Sequence, residues 1–104
     1  MKPLIYGYMR IEPHQEDDTI KHLEESLHGF ADRGGYELAK VFQEEVSGSH
    51  IAFDELLLEL LNHRARQVVV PNLSHLSVSP LLRAIMLSQL SRRTGAHLHE
   101  AGAP

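Results

Sequence analysis

The apolar positions of the chain follow two spacings, one typical of buried strands and one typical of amphipathic helices. Four short runs predict strands: Leu4 to Met9, Tyr36 to Phe42, QVVVP at 67–71 and AHLHE at 96–100. Their β-branched and aromatic residues favour strands, and their short lengths suit strands inside a sheet. In the second run, strict alternation predicts that Tyr36, Leu38, Lys40 and Phe42 share one face.

Three segments between these runs have helical spacing, with apolar residues three and four positions apart. These stripes are Ile20, Leu23, Leu27 and Phe30; Phe53, Leu56, Leu57, Leu60 and Leu61; and Leu81, Leu82, Ile85, Met86 and Leu90. Gly34-Gly35 and Gly95 predict left-handed ends for the first and third helices. Ser79-Pro80 predicts the start of the third helix, with serine as the N-cap.

The order β-α-β-α-β-α-β predicts an α/β fold, a three-layer sandwich around a mostly parallel sheet of four to five strands. We expect one domain over residues 1–100 and a disordered tail over residues 101–104. Sites in such sheets lie beyond the carboxyl ends of the strands. This rule predicts that residues 10–14, the VSGSH segment at 46–50 and the NLSHLSVS segment at 72–79 lie together.

Composition narrows the classes of function that the chain can have. The 14 acidic and 10 basic residues give a net charge of −4, which argues against DNA binding. The absence of cysteine excludes disulfides and Cys-ligated metal sites. No apolar run has the length of a membrane span. We therefore expect a soluble cytoplasmic protein.

Three sequence motifs lie at the predicted strand ends. They read YMRIE at 8–12, EEVSGSHIAFDEL at 44–56 and NLSHLSVS at 72–79. In order and spacing they resemble the motifs of the catalytic domain of the serine recombinases, the resolvase and invertase family. The resemblance runs from Ile5 to about Glu100 and implies the resolvase catalytic fold. It also implies a serine nucleophile that attacks a DNA phosphate, which several arginines hold.

The resemblance implies a degenerate site, because most of those functional positions carry other residues here. The first arginine of the family corresponds to Arg10 and is retained, whereas the nucleophile corresponds to Glu12. The other matching positions, where the family has arginines or an aspartate, are Phe53, Ser74, His75 and Val78. A carboxylate is a poor nucleophile toward a phosphodiester. It also repels the phosphate by about 4 kcal/mol at 4 Å and an effective dielectric constant near 20. We therefore expect a catalytically inactive domain that acts as a protein-interaction or regulatory module.

Family members continue into a long dimerisation helix and a helix-turn-helix domain, whereas this sequence stops at Pro104. We therefore expect association through another surface, with a second copy or with an unidentified protein partner. Leu58, Leu87 and Leu90 extend two helical stripes beyond the width that a monomer needs, and they are the candidate interface. Wider burial in the core is the alternative interpretation of these three residues.

The strand ends also allow a second hypothesis, in which the site has been reused. Arg10, Glu12, His14 and His75 are its candidate ligand-binding residues, as part of an enzyme or of a metal or small-ligand site. For Arg10 and Glu12, an ion pair or two solvated side chains is the simpler interpretation. We predict no cofactor.

Two smaller motifs remain. His97 and His99 share a face of the last strand and are weak candidates for a metal site that would need further ligands. Ser47-Gly48-Ser49 lacks the length and the lysine of a phosphate-binding loop. Neither motif is sufficient on its own to predict a function.

Overall fold

The computed structural model describes residues 1–45 and 49–102 and shows alternating strands and helices. The elements are β1 Leu4–Arg10, α1 Asp17–Gly34, β2 Glu37–Glu44, α2 Ile51–His63, β3 Gln67–Val70, a 3-10 turn Leu73–His75, α3 Pro80–Thr94 and β4 His97–Glu100. Ser47 and Gly48 of the Ser-Gly segment lie outside the described residues. Within the described ranges, no helix has both the length and the apolar character that a membrane crossing needs.

The four strands form one all-parallel sheet in the order β2-β1-β3-β4. Helix α1 covers one face, where Ile5 and Met9 of β1 pack against Leu23 and Leu27. Helices α2 and α3 cover the other face, over a second and larger core cluster. The predicted α/β sandwich with a four-stranded sheet is confirmed.

The predicted alternation in β2 is interrupted by an irregularity in its pairing with β1. Ile5 is opposite Leu38, but the next residue of β1 is opposite Lys40, so Ala39 is an extra residue. Leu38 and Val41 consequently both pack in the cluster beneath α1. Phe42 packs on the α2–α3 side. The single shared face predicted for residues 36 to 42 is therefore wrong.

The predicted helix ends are confirmed. Gly35 ends α1 with φ 75°, and its N–H points to carbonyls of the last turn; Gly95 ends α3 with φ 69°. The Ser79 hydroxyl accepts the amide of Leu82 at 3.4 Å at the start of α3. Helix α2 ends instead at Arg64, which has φ 53° and which no glycine signal marks in the sequence.

The buried face of α3 differs from the prediction. Met86 and Leu90 are buried, whereas Leu81, Leu82 and Ile85 are exposed. At 100° per residue, positions 81 and 85 lie on the side of the helix opposite position 90. The spacing showed an apolar helix, but the sheet contacts only part of it. Leu61, expected in the buried stripe of α2, is likewise exposed.

The three candidate interface leucines have three different environments. Leu90 is 2% exposed and belongs to the core, so its assignment to an interface is wrong. Leu87 is half-buried against the same cluster. Leu58 is 54% exposed and remains available for a partner.

The chain stays attached to the sheet beyond residue 100. The amide of Ala101 donates to the carbonyl of Val70 at 2.8 Å, and Gly102 donates to Pro71 at 3.1 Å. Ala101 also packs against the core cluster beneath α1. The packed domain therefore reaches Gly102, two residues past the boundary expected from the sequence. Residues 103–104 lie outside the described ranges.

Candidate functional site

Arg10, the last residue of β1, joins the segments that precede α2 and follow β3. Its Nε donates to the carbonyl of Leu76 at 3.0 Å, and its NH1 donates to the carbonyl of Ser49 at 3.1 Å. Its NH2 lies 3.3 Å from Nδ1 of His50, which must accept because guanidinium only donates. The prediction that the three strand-end segments lie close together is therefore confirmed for these residues.

A hydrogen bond from the backbone of Arg10 holds the imidazole ring of His75 in place. The amide of Arg10 donates to Nδ1 of His75 at 3.0 Å, so the proton of the neutral ring is on Nε2. The imidazole is buried. Burial lowers the pKa of His75, the Arg10 charge lowers this pKa further, and the Glu12 carboxylate opposes both effects. His75 is therefore held as a neutral ring.

Glu44, at the end of β2, is a buried carboxylate that the sequence analysis missed. Its oxygens accept the amides of Ala52 and Phe53 at 3.1 and 3.2 Å, which caps the N-terminus of α2. They also accept the hydroxyl of Tyr8 at 2.9 Å. Burial raises the pKa of Tyr8; the charge of Arg10 opposes this effect and Glu44 reinforces it.

A sequence signal for Glu44 does exist. Helix α2 begins after His50, whose side chain makes no capping hydrogen bond. A helix without a Ser, Thr, Asp or Asn cap needs another acceptor for its first amides. Ser49 accepts the amide of Ile51, and the acids Glu44 and Glu45 at the end of the preceding strand are the candidates for the next amides, a role in which the structure places Glu44.

A cavity of about 390 Å³ opens at the strand ends beside these groups. It is lined by Arg10, Ile11, Glu12, Gln15, Glu44, His50, Ser74, His75, Ser77, Val78 and Leu82. Glu12 is exposed, and within the described ranges no ion pair joins it to Arg10. His14 is exposed and does not line the cavity. Of the four candidate ligand residues, Arg10, Glu12 and His75 therefore line the same cavity, and His14 does not.

The other positions implied by the resemblance do not supply cations to this cavity. Phe53 is 1% exposed and packs edge-on against Tyr8, with ring centroids 5.6 Å apart. Ser74 is exposed, and its hydroxyl is bonded to Asn72. Val78 is exposed at the rim. Besides Arg10, the lining therefore contains no lysine or arginine.

The two histidines of β4 lie in different surroundings. Nε2 of His99 lies 2.6 Å from Oε1 of Gln67, and its ring packs on Phe30 and Tyr36. His97 is exposed. Among residues 1–45 and 49–102, no group of three or more His, Asp or Glu residues is placed to hold a metal ion.

Comparisons with known proteins agree with the observed fold. The family model described as "Resolvase, N terminal domain" matches residues 5–102. The fold is similar to the N-terminal catalytic domain of TP901-1 integrase, with TM-score 0.76 and 17% identity over 94% of this chain and 76% of the other. It is also similar to the C-terminal catalytic domain of ISC1926 TnpA, an IS607-like serine recombinase. There the TM-score is 0.72, with 14% identity over 94% of this chain and 67% of the other.

No curated protein matches the chain by sequence. The two structural similarities, both well below 25% identity, show the fold alone. The family match covers nearly the whole chain and shows the relationship directly. The chain is therefore a member of the resolvase family and corresponds to the N-terminal domain of that family.

Proposed function

We propose that this resolvase-type domain is a pseudoenzyme that acts through protein association and does not cleave DNA. The observation that carries the proposal is the direction of the Arg10 guanidinium. Its Nε, NH1 and NH2 point to the carbonyls of Leu76 and Ser49 and to the ring of His50. A guanidinium that donates to acceptors inside the protein stabilises the fold, and it has few N–H groups left to donate to a phosphate.

The charge at the cavity supports the same proposal. Glu12 stands at the position of the family nucleophile, at the exposed rim, where it would meet an incoming phosphate. Family catalysis needs several cations around the phosphate, and removing one such stabilising group typically costs about 10²-fold or more in rate. Here Arg10 is the one arginine in the lining.

A DNA cleavage assay combined with a measurement of mass in solution tests the proposal. The chain is incubated with supercoiled plasmid at low salt and quenched with detergent, which would trap a covalent protein–DNA adduct. We expect no adduct and no nicked plasmid, and either a defined oligomer or a stoichiometric protein partner. An adduct, or a monomer that binds no protein from its native lysate, would contradict the proposal.

The cavity favours one alternative function, binding of a small ligand. Nε2–H of His75 and the free N–H groups of Arg10 are donors, and Glu12 is an acceptor at the rim. A metal ion is the weaker form of this alternative, because Nδ1 of His75 already accepts the Arg10 amide. Thermal unfolding with zinc, nickel and a panel of small carboxylic acids and amines tests it. A saturable rise in Tm that Glu12→Gln abolishes would favour a ligand site.

A further inference from the structure

Arg10 determines which ring nitrogen of two neighbouring histidines carries the proton. Its backbone N–H donates to Nδ1 of His75 at 3.0 Å, and its NH2 lies 3.3 Å from Nδ1 of His50. Amide and guanidinium N–H groups only donate, so both Nδ1 atoms accept. Each ring therefore carries its N–H group on the other nitrogen, Nε2.

The two Nε2–H groups remain free to donate to a ligand. Within residues 1–45 and 49–102, no hydrogen bond reaches Nε2 of His50 or His75, and no buried side-chain nitrogen or oxygen lacks a partner. Neither Nε2 atom is therefore fully buried, and both rings line the cavity of about 390 Å³ at the strand ends. Gln15 also lines it, and because its side-chain oxygen accepts the Glu12 amide at 3.0 Å, its NH₂ group is a further donor.

The lining is negatively charged in spite of these donors. It contains one arginine, Arg10, and two carboxylates, Glu12 and Glu44, so its net charge is −1 when the histidines are neutral. Glu44 already accepts three hydrogen bonds from the protein. Glu12 is exposed and makes no ion pair within the described ranges. Burial and Arg10 lower the pKa of His75 and the charge of Glu12 raises it, so Glu12 lies within electrostatic reach of that ring.

Apolar side chains line the same cavity. Val78 is 84% exposed and Leu82 is 44% exposed, and Ile11 beside them is half-buried. A ligand that covers these side chains removes apolar surface from water, which favours binding. The cavity therefore combines N–H donors, one unpaired carboxylate and an apolar wall.

We propose that this cavity binds a small zwitterion with an apolar side chain, of the α-amino acid class. The carboxylate of the ligand accepts from the Nε2–H groups of His50 and His75. Its ammonium group pairs with Glu12, and its side chain covers Val78 and Leu82. The cavity volume lies in the range of small-molecule sites, roughly 300–1,000 Å³. The inference deepens the small-ligand alternative given under the proposed function and rests on it.

Ligands with a single charge satisfy only half of this site. A simple carboxylate or a phosphate brings negative charge to a lining of net charge −1 and leaves Glu12 without a cation. A simple amine pairs with Glu12 but leaves the Nε2–H groups of His50 and His75 without an acceptor. A zwitterion supplies both groups, and hydrogen bonds to its ionised ends are stronger than those between neutral groups.

An NMR titration of the ¹⁵N-labelled chain with leucine is the first test. The ring nitrogens of His50 and His75 are observed through their carbon-bound protons, which do not exchange with water. We expect saturable shifts of both Nε2 signals, with a dissociation constant on the order of 1 mM. Methionine and phenylalanine are titrated in the same way, because the proposal specifies a class of ligand. No saturable shift with any of the three up to about 20 mM would overturn the proposal.

Two truncated forms of leucine test whether both charges are needed. Isocaproate lacks the ammonium group, and isoamylamine lacks the carboxylate. We expect each to bind at least about tenfold more weakly than leucine. Isocaproate that binds as tightly as leucine would overturn the ammonium contact, and isoamylamine that does so would overturn the carboxylate contact.

A pair of variants tests the contact with Glu12. Glu12→Gln should weaken leucine binding at least about tenfold without weakening isocaproate binding. Glu16→Gln is the matched control, because Glu16 is an exposed acid that lies outside the cavity lining and makes no capping hydrogen bond. Its affinity for leucine should equal that of the unsubstituted chain. Equal losses in the two variants would overturn the assignment of Glu12, and Tm confirms that both variants fold.

The proposals fail in different ways. A rise in Tm with a simple acid or amine, without tighter binding of any amino acid, would refute the zwitterion and keep the small-ligand alternative. Absence of any ligand would leave the proposed protein association intact. A covalent adduct with DNA would refute the proposed function, whether or not leucine binds.

Discussion

The backbone amide of Arg10 donates to Nδ1 of His75 across 3.0 Å, from the end of β1 to the turn after β3. The same residue donates through its side chain to the carbonyls of Leu76 and Ser49. One position therefore holds together three segments that are far apart in sequence. We infer that Arg10 stabilises the fold by joining these segments.

The neutral state of His75 predicts a loss of stability in mild acid. In the unfolded chain the imidazole takes a proton below about pH 6.5. In the folded chain it does so only at lower pH, because burial and Arg10 lower its pKa. Between those two pKa values the unfolded state holds more protons, so the free energy of unfolding falls as the pH falls. Urea unfolding from pH 7.5 to pH 5 measures this slope.

His75→Phe should remove much of that slope and leave the Arg10 amide without its acceptor. We expect it to lower the free energy of unfolding at pH 7.5 by about 1–3 kcal/mol. His14→Gln is the control, because His14 is exposed and lies outside the cavity lining. An equal slope in the His75 variant and the unsubstituted chain would show that other groups cause the pH dependence.

Replacing Arg10 distinguishes a residue that stabilises the fold from one that binds a ligand. Arg10→Met removes hydrogen bonds to two carbonyls and one ring, and we expect a loss of about 1–3 kcal/mol in the free energy of unfolding. Arg10→Lys should recover little of it, because one ammonium group cannot reproduce the planar fork. Chemical denaturation measures both variants. Unchanged or increased stability would indicate that the arginine is reserved for a ligand.

Glu44 should be among the most sensitive polar positions. Glu44→Ala leaves the amides of Ala52 and Phe53 and the hydroxyl of Tyr8 without an acceptor inside the protein. We expect a loss of about 3 kcal/mol in the free energy of unfolding. Glu44→Gln retains one acceptor oxygen and should lose less. Equal losses in the two variants would mean that the carboxylate does more than accept hydrogen bonds.

Restoring the nucleophile alone should not restore strand cleavage. Glu12→Ser supplies a hydroxyl, but Phe53 remains in the core and Val78 remains apolar, so the phosphate still lacks cations. We expect no covalent adduct with supercoiled DNA from this variant. Because the substitution also removes the repelling charge, an adduct from it would show that Glu12 is the sole block.

The sequence predicted the sheet, its helices and most helix ends because these depend on spacing and local chemistry. Ser79-Pro80 and Gly95 are local signals, and the structure confirms both. The strand-end segments could be brought together because the carboxyl ends of parallel strands meet at one edge. The same rule could not place His14, which is exposed and does not line the cavity.

What spacing could not predict depends on contacts between elements. Leu81 and Ile85 have the helical spacing of buried residues, yet the sheet contacts the other side of α3. The extra residue Ala39 arises from the pairing of β2 with β1 and leaves no signal in composition. The direction of the Arg10 guanidinium depends on two carbonyls that lie 39 and 66 residues away.

We infer that the strand-end site stabilises the fold and binds no DNA phosphate. An NMR titration of ¹⁵N-labelled protein with a short DNA duplex at low salt, observing Arg10 Nε–H and His75 Nε2–H, tests this inference. We predict that neither signal shifts in a saturable way. A saturable shift of both signals that weakens as salt is added would contradict the account, because it would show a phosphate held at Arg10.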